Sequence, residues 1–174
     1  RTLKVDGAPV DRLDDYFGAW SVVLFTPEHL GLVRSEPALR RTFLDRACFN
    51  VEPGHLDTVR RYQRVLRARN VLVKQAERGR APSAELLEAF DQQLADTGAR
   101  LVAARRRCLS ELGPRVTEVH ERLGNGAKRL EVSYRAKGLA GAEVDGPGLL
   151  AALRGRRDED LRRGFTGIGP HQDD

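Results

Sequence analysis

A chain of 174 residues with 40% hydrophobic side chains can bury one modest core, and its Lys and Arg, 30 in all against 25 Asp and Glu, leave a net charge of +5. No run approaches the ~18 apolar residues of a membrane-spanning helix, and the opening RTLKVDG carries no apolar leader, so a cytoplasmic protein without a membrane partner is expected. The cysteines Cys48 and Cys108 and the histidines His29, His55, His120 and His171 lack metal-ligand spacing, which predicts free thiols and no zinc site.

In chain order, TLKVDGAPV (2–10) reads as two short strands around Asp6-Gly7. WSVVLF (20–25) is an apolar, β-branched run that fits a buried strand ending at Thr26-Pro27. Helix follows. Ser35 is the expected N-cap of a helix with Glu36 and Pro37 in its first turn and its end near Asn50. A longer helix from His55 to about Gly79 spaces Leu56, Val59, Gln63, Leu66, Asn70 and Val73 by three and four, the seam of a coiled coil. Gly79 to Ala81 make the turn, and Pro82-Ser83 open a second helix with Leu87, Leu94, Leu101 and Cys108 at intervals of seven. Gly113-Pro114 is expected to interrupt it and Gly124-Asn125-Gly126 to close it. RLEVSYRA (129–136) alternates like a half-buried strand, residues 147–163 form one charged helix, and GFTGIGPHQDD (164–174) reads as a strand running into a Gly-Pro turn. The implied fold class is α+β, with a helical hairpin or bundle lobe inserted into a sheet-containing part.

Charge is distributed unevenly: residues 34–80 hold 12 Lys or Arg against 5 Asp or Glu, whereas residues 81–126 hold 6 against 7. Arg60, Arg61, Arg64, Arg67, Arg69 and Lys74 make a basic row with Tyr62 among them. Such a row attracts nucleic-acid phosphates with steeply salt-dependent affinity, or is simply a solvated helix face. His171, Asp173 and Asp174 follow a tight turn and would orient water or hold a cation. No G-x-x-x-x-G-K-S/T phosphate loop, nucleophile elbow or dinucleotide fingerprint occurs, so the chain carries no complete catalytic apparatus.

SEPALRRTFLDRACF (35–49) places Leu39, Phe43, Leu44, Ala47 and Cys48 on one arc, with Arg40 near its middle and Arg41 at its edge. Arg41 is expected to pair on the surface with Asp45 at i+4. Arg40 requires either a partner, for which Glu28 is the candidate and which would tie the helix to WSVVLF, or a path for its charge to the helix edge.

Three motifs in order resemble the RecF family, relatives of the structural-maintenance-of-chromosomes ATPases. They are TPEHLGLVRSEPALRRTFLD (26–45), with Pro27, Glu28, Leu30, Pro37, Arg40, Arg41, Leu44 and Asp45; YQRVLRARNVLVK (62–74), with Tyr62 and Asn70; and GPHQDD, with Gly169, Pro170, His171, Asp173 and Asp174. His29, Glu36 and Gln172 depart from the family pattern. The start at Arg1 without any methionine, and the stop just past Gly-Pro-His, are expected of a piece of a longer protein.

The resemblance implies the middle of a bacterial protein with a P-loop, ABC-type ATPase head that is incomplete here at both ends. Residues 1–26 would be strands of that head, 27–126 a helical lobe resembling a short coiled-coil insert, and 127–174 the return to the head. It further implies that the full-length protein binds ATP and Mg, forms a nucleotide-dependent homodimer, binds DNA at single-strand gaps and junctions, and works with RecR to promote RecA loading. Such relatives are DNA-dependent ATPases, while this chain alone would neither hold nucleotide nor hydrolyse it. Two other readings are a non-enzymatic interaction module dimerising through its hairpin, and a metal-dependent hydrolase built on His171, Asp173 and Asp174.

Overall fold

Asp6 and Gly7 both have positive φ, 50° and 83°, the geometry that lets a two-residue turn follow the twist of its flanking strands. Strands β1 (Leu3–Val5) and β2 (Ala8–Val10) accordingly pair antiparallel, with Leu3 opposite Val10, as the sequence predicts. The structure is a computed structural model that describes residues 2–11, 16, 24, 26–34, 36–52, 54–77, 79–80, 82–124, 130–139 and 144–174. The strand expected over WSVVLF lies, Leu24 apart, outside these residues.

A 3₁₀ turn, Pro27–Leu30, leads into the short helix α1 (Gly31–Arg34) and then α2 (Pro37–Val51). Pro37 opens α2 where its missing N–H costs nothing, and Glu36 occupies the N-cap without a side-chain cap bond; Ser35, the expected cap, lies outside the described residues. Helix α3 (His55–Glu77) ends in a Schellman turn: Gly79, at φ 82°, donates to the Ala76 carbonyl and Arg80 donates to that of Gln75. Ser83 then caps α4 (Ala84–Leu123) by accepting from the Leu86 N–H. These residues make the hairpin turn that the sequence predicts.

Helix α4 runs unbroken through Gly113-Pro114, contrary to the interruption expected there. Proline removes one backbone donor and its ring crowds the preceding turn, but the packed turns before it hold the helix direction. At 40 residues it is about 60 Å long. The helix expected over 147–163 is instead two, α5 (Gly146–Gly155) and α6 (Arg157–Arg163), divided at Arg156, where φ −108° and ψ 3° leave the helical region. Asp145 caps α5 through the Gly148 N–H, and Gly164, at φ 72°, ends α6.

Neither strand expected in the second half forms a ladder. Residues 130–136 run without regular structure and exchange one reciprocal backbone pair with the chain end, Arg135 N–H to Asp174 O and Asp174 N–H to Arg135 O. Residues 165–174 are a series of bends and turns, because Gly169 at φ 126° and Pro170 break any extended run.

The core lies where α3, α4 and α5 meet: Tyr62, Leu94, Ala95, Leu101, Leu149, Leu150, Leu153 and Ile168, with Val59, Val65 and Leu66 against them. Each of the fully buried leucines contributes roughly 1.5–3 kcal/mol. The α4 positions Leu87, Leu94 and Leu101 are buried as predicted. On α3 the seam is displaced by one residue from the expected one: its second row is His55, Tyr62 and Arg69, all buried, whereas Gln63 is exposed and Leu56 and Asn70 sit at the edge. A ladder of polar and basic residues fills places the apolar pattern assigned elsewhere. Among the described residues no helix is long and apolar enough to cross a membrane.

Candidate functional site

The seam displaced on α3 is matched on α4 by a second row at intervals of seven, Asp91, Gly98 and Arg105, all buried. Each buried arginine of these rows meets a carboxylate, Arg69 that of Asp91 on the facing helix and Arg105 that of Asp45 on α2, so neither helix buries an uncompensated cation. Arg69 Nε donates to Asp91 at 2.6 Å, and its Nη1 donates to Asp160 and to Thr166 Oγ1, each at 2.7 Å. The break at Arg156 makes this possible, since it turns α6 so that Asp160 reaches inward while Arg157 reaches Asp91 at 2.6 Å and Glu88. Glu88, clasped also by Arg154, titrates at about 2, well below the usual glutamate range. Arg69 is therefore no surface contact for phosphate, and the row expected on this helix loses that member.

Seven residues beyond Asp91 on α4, Gly98 leaves room for Leu149 and Tyr62; a Cβ there would lie 2.7 Å from Leu149. The Tyr62 hydroxyl meets His171 Nδ1 at 2.5 Å, and His171 Nε2 lies 2.9 Å from the Thr166 carbonyl. The two contacts fix the tautomer: Nε2–H donates to Thr166 and Nδ1 accepts from Tyr62. Burial lowers the His171 pKa, which suits a neutral ring. Gly169 is required beside it, because a side chain at φ 126° is strained and its Cβ would stand 2.7 Å from the tyrosine oxygen. Asn70 Oδ1 accepts from the N–H and hydroxyl of Thr166 at 2.9 and 2.6 Å, so the turn before GPHQDD is held from α3 as well.

At the other end of the seam Arg105 makes a two-point pair with Asp45, both bonds 2.8 Å, and donates to the Pro170 carbonyl at 2.7 Å. His55 Nε2 lies 3.0 Å from the same carboxylate. Burial raises the Asp45 pKa, but the hydrogen bonds from Arg105 and His55 outweigh it and bring the carboxyl below its ordinary value. Asp45 is thus occupied by α3 and α4, and the surface pair expected between it and Arg41 does not form.

Arg41 instead donates to the Asp173 carbonyl oxygen at 2.6 Å. Arg40 closes on the Asp174 carboxylate through Nε at 2.5 Å and Nη2 at 2.8 Å, and reaches the Leu32 carbonyl at 3.2 Å. The Glu28 side chain, the expected partner, lies outside the described residues; the contact with Asp174 ties Arg40 to GPHQDD. Leu39 and Phe43, expected on a buried arc, are exposed, and the inward face of α2 is Arg41, Leu44, Asp45 and Cys48. Asp173 is held by the Tyr134 hydroxyl at 2.7 Å and the Lys137 N–H at 3.0 Å.

The polar atoms of His171, Asp173 and Asp174 are thus engaged in the fold, and no group of His, Cys, Asp and Glu that could hold a metal ion occurs among the described residues. The three residues of the metal-hydrolase reading therefore offer no free ligand set among the described residues. Of the other motif residues, Pro27 begins the 3₁₀ turn, Leu30 is exposed, Leu44 is half-buried and Pro170 is buried. His29, one of the departures from the family pattern, accepts the Thr26 N–H on its Nδ1 at 3.1 Å. Arg60, Arg61, Arg64, Arg67 and Lys74 lie exposed on the outer side of α3; Arg61 pairs with Asp57 at 2.6 Å, and the other four have no ion pair among the described residues. Sequence reasoning missed His55, Asp91, Arg105, Tyr134, Asp160 and Thr166. The one signal available was the seven-residue spacing of His55–Tyr62–Arg69 and Asp91–Gly98–Arg105.

In class, this helical assembly closed on a Gly-Pro-His turn is a likeness of recombination mediator proteins. It superposes with a TM-score of 0.85, at 25% identity, on a solved structure of the recombination mediator protein RecF with ATPrS in the RecFOR pathway, covering 99% of this chain and 47% of that one. A second, of the same protein with ATP, gives 0.86 at 26% identity over 98% and 46%. The chain belongs to the RecF family. It is 41% identical over 178 residues to the DNA replication and repair protein RecF of Geobacter sulfurreducens and 42% identical over 180 to that of Myxococcus xanthus. The chain spans about half the length of the curated relatives it matches, 47% in both cases. No family model matches it.

Proposed function

We propose that this chain is the helical, DNA-handling part of a RecF-like protein of DNA replication and repair, and that the outer face of α3 is where it meets the phosphate backbone. The observation that carries this reading is the division of one helix into two faces: Tyr62, Arg69 and Asn70 bolt it to the chain end, while Arg60, Arg64, Arg67 and Lys74 point away from the core without ion pairs among the described residues. A cation row on a rigid support is what sequence-independent phosphate contact requires.

In the whole protein, residues 1–26 and 127–174 would contribute to an ATPase head flanking the lobe at 27–126. The head would bind ATP and Mg, dimerise with nucleotide, and act with RecR at gapped DNA to promote RecA loading. The solved relatives named with ATP and with the RecFOR pathway support this assignment. The residues here include no phosphate loop, so the nucleotide would be held by other parts of that protein. The alternative of a module dimerising through its hairpin is disfavoured, because the seams of α3 and α4 are packed against each other and against α5 and α6.

The test is fluorescence anisotropy of the full-length protein with a gapped duplex at several salt concentrations. Replacing Arg60, Arg64, Arg67 and Lys74 together with alanine should weaken binding and flatten its salt dependence. Unchanged affinity and slope would remove α3 from the interface.

A further inference from the structure

The chain has two cysteines, and the fold brings them to one place. Cys48 lies one turn beyond Asp45 on α2, and Cys108 one turn beyond Arg105 on α4, so the two-point Asp45–Arg105 pair at 2.8 Å sets both thiols on the facing sides of the two helices. Arg107, next to Cys108, reaches Glu52, one turn beyond Cys48, through Nη2 at 3.3 Å, a second ionic contact between the two helices beside the thiols. Cys48 is buried and Cys108 half-buried. Burial, and after it the neighbouring Cys108, push the Cys48 thiol up, which makes Cys48 a poor first nucleophile.

We propose that Cys48 and Cys108 form a modification site, in which a peroxide-class oxidant reaching Cys108 leads to an intramolecular disulfide between α2 and α4. The sulfur of Cys108, deprotonated for the step, attacks one oxygen of hydrogen peroxide; the O–O bond breaks, a sulfenic acid forms and the other oxygen leaves as water. The sulfur of Cys48 then attacks the oxidised sulfur, the S–O bond breaks, and the second oxygen leaves as water. Two thiols lose two electrons and two protons, and one peroxide becomes two waters. The bond would fasten α2, the helix that holds the chain end through Arg40 and Arg41, to the middle of α4.

The test treats the folded full-length protein with hydrogen peroxide, alkylates the remaining thiols in denaturant, and maps tryptic peptides by mass spectrometry. The expected product is a cross-link between peptides 47–60 and 108–115 of one chain, absent when oxidation is done in urea and absent in Cys108→Ser. In that variant Cys48 should remain an unmodified, alkylatable thiol. Recovery of both peptides as separate alkylated species, over-oxidation of Cys108 with Cys48 still free, or a link between two chains would each overturn the proposal.

Discussion

Arg69 on α3 and Asp91 on α4 form a buried ion pair 2.6 Å apart, with neither side chain exposed to solvent. Removing the cation leaves Asp91 with Arg157 alone and Asp160 with only the Gly167 N–H, two buried carboxylates short of positive charge, so Arg69→Ala should cost about 3–5 kcal/mol, enough to lower the urea midpoint sharply. Arg67→Ala, two residues away on the exposed side, should change stability by less than about 0.5 kcal/mol. Urea unfolding followed by circular dichroism checks both.

The same two arginines separate the roles of the basic row. In the full-length protein Arg67→Ala should reduce the slope of log affinity against log salt by about 1, as expected for one lost phosphate contact. Arg69→Lys, where it folds, should leave that slope unaltered. Equal slopes for wild type and Arg67→Ala would show that this side chain meets no phosphate.

Gly98→Ala offers a test of packing against propensity. In an open helix the change stabilises by up to about 1 kcal/mol. Here the added Cβ would stand 2.7 Å from Leu149 Cδ2 and 3.3 Å from the Tyr62 ring, in a core without slack. The variant should therefore melt below wild type, and Leu149→Val in the same chain should recover part of the loss. Calorimetry of the single and double variants would reveal the coupling.

His171 gives the fold an acid-sensitive point. Its folded pKa lies below the ordinary value of 6.5, chiefly through burial, so the unfolded chain takes up the proton more readily. The stability associated with the neutral ring is present above the unfolded pKa near 6.5 and falls as pH drops below it. Protonation would set an N–H against the Tyr62 hydroxyl and force that bond to turn round. Melting temperature should decline more steeply between about pH 6.5 and 5 in wild type than in His171→Gln.

Arg105 and Arg40 both hold the chain end, but in different surroundings. Arg105→Ala leaves the Pro170 carbonyl unmet and Asp45 with His55 as its one remaining partner of the two described above, and should cost about 3–5 kcal/mol. Arg40→Ala breaks a pair whose members are 35% and 42% exposed, and should lower stability far less than Arg105→Ala. Chemical denaturation of the two variants would order them.

The hairpin was legible because local chemistry writes it: Asp6-Gly7, Gly79 and Ser83 each place a turn or cap by their own backbone preference. The apolar heptads of α4 were equally plain. The α3 seam was misplaced by one residue because His55 and Arg69 look like surface residues until Asp45, Asp91 and Asp160 are set opposite them, 10, 22 and 91 residues away in the chain. The division at Arg156 was hidden for the same reason, since it serves the long-range partners of Arg157 and Asp160. The family motifs pointed to the right residues, yet their partnership, arginine pair to aspartate pair and tyrosine to histidine, needed three dimensions.

The distances in sequence that these contacts bridge bear on how the chain is made. Arg40 meets Asp174 across 134 residues, Tyr62 meets His171 across 109, and Arg69 meets Asp160 across 91. A ribosome delivers the three helices and their arginines well before the carboxylates and the histidine that receive them. The hairpin can zip early from its local turn, but Arg69 and Tyr62 lack part of their partners until residues 160–171 arrive to receive them.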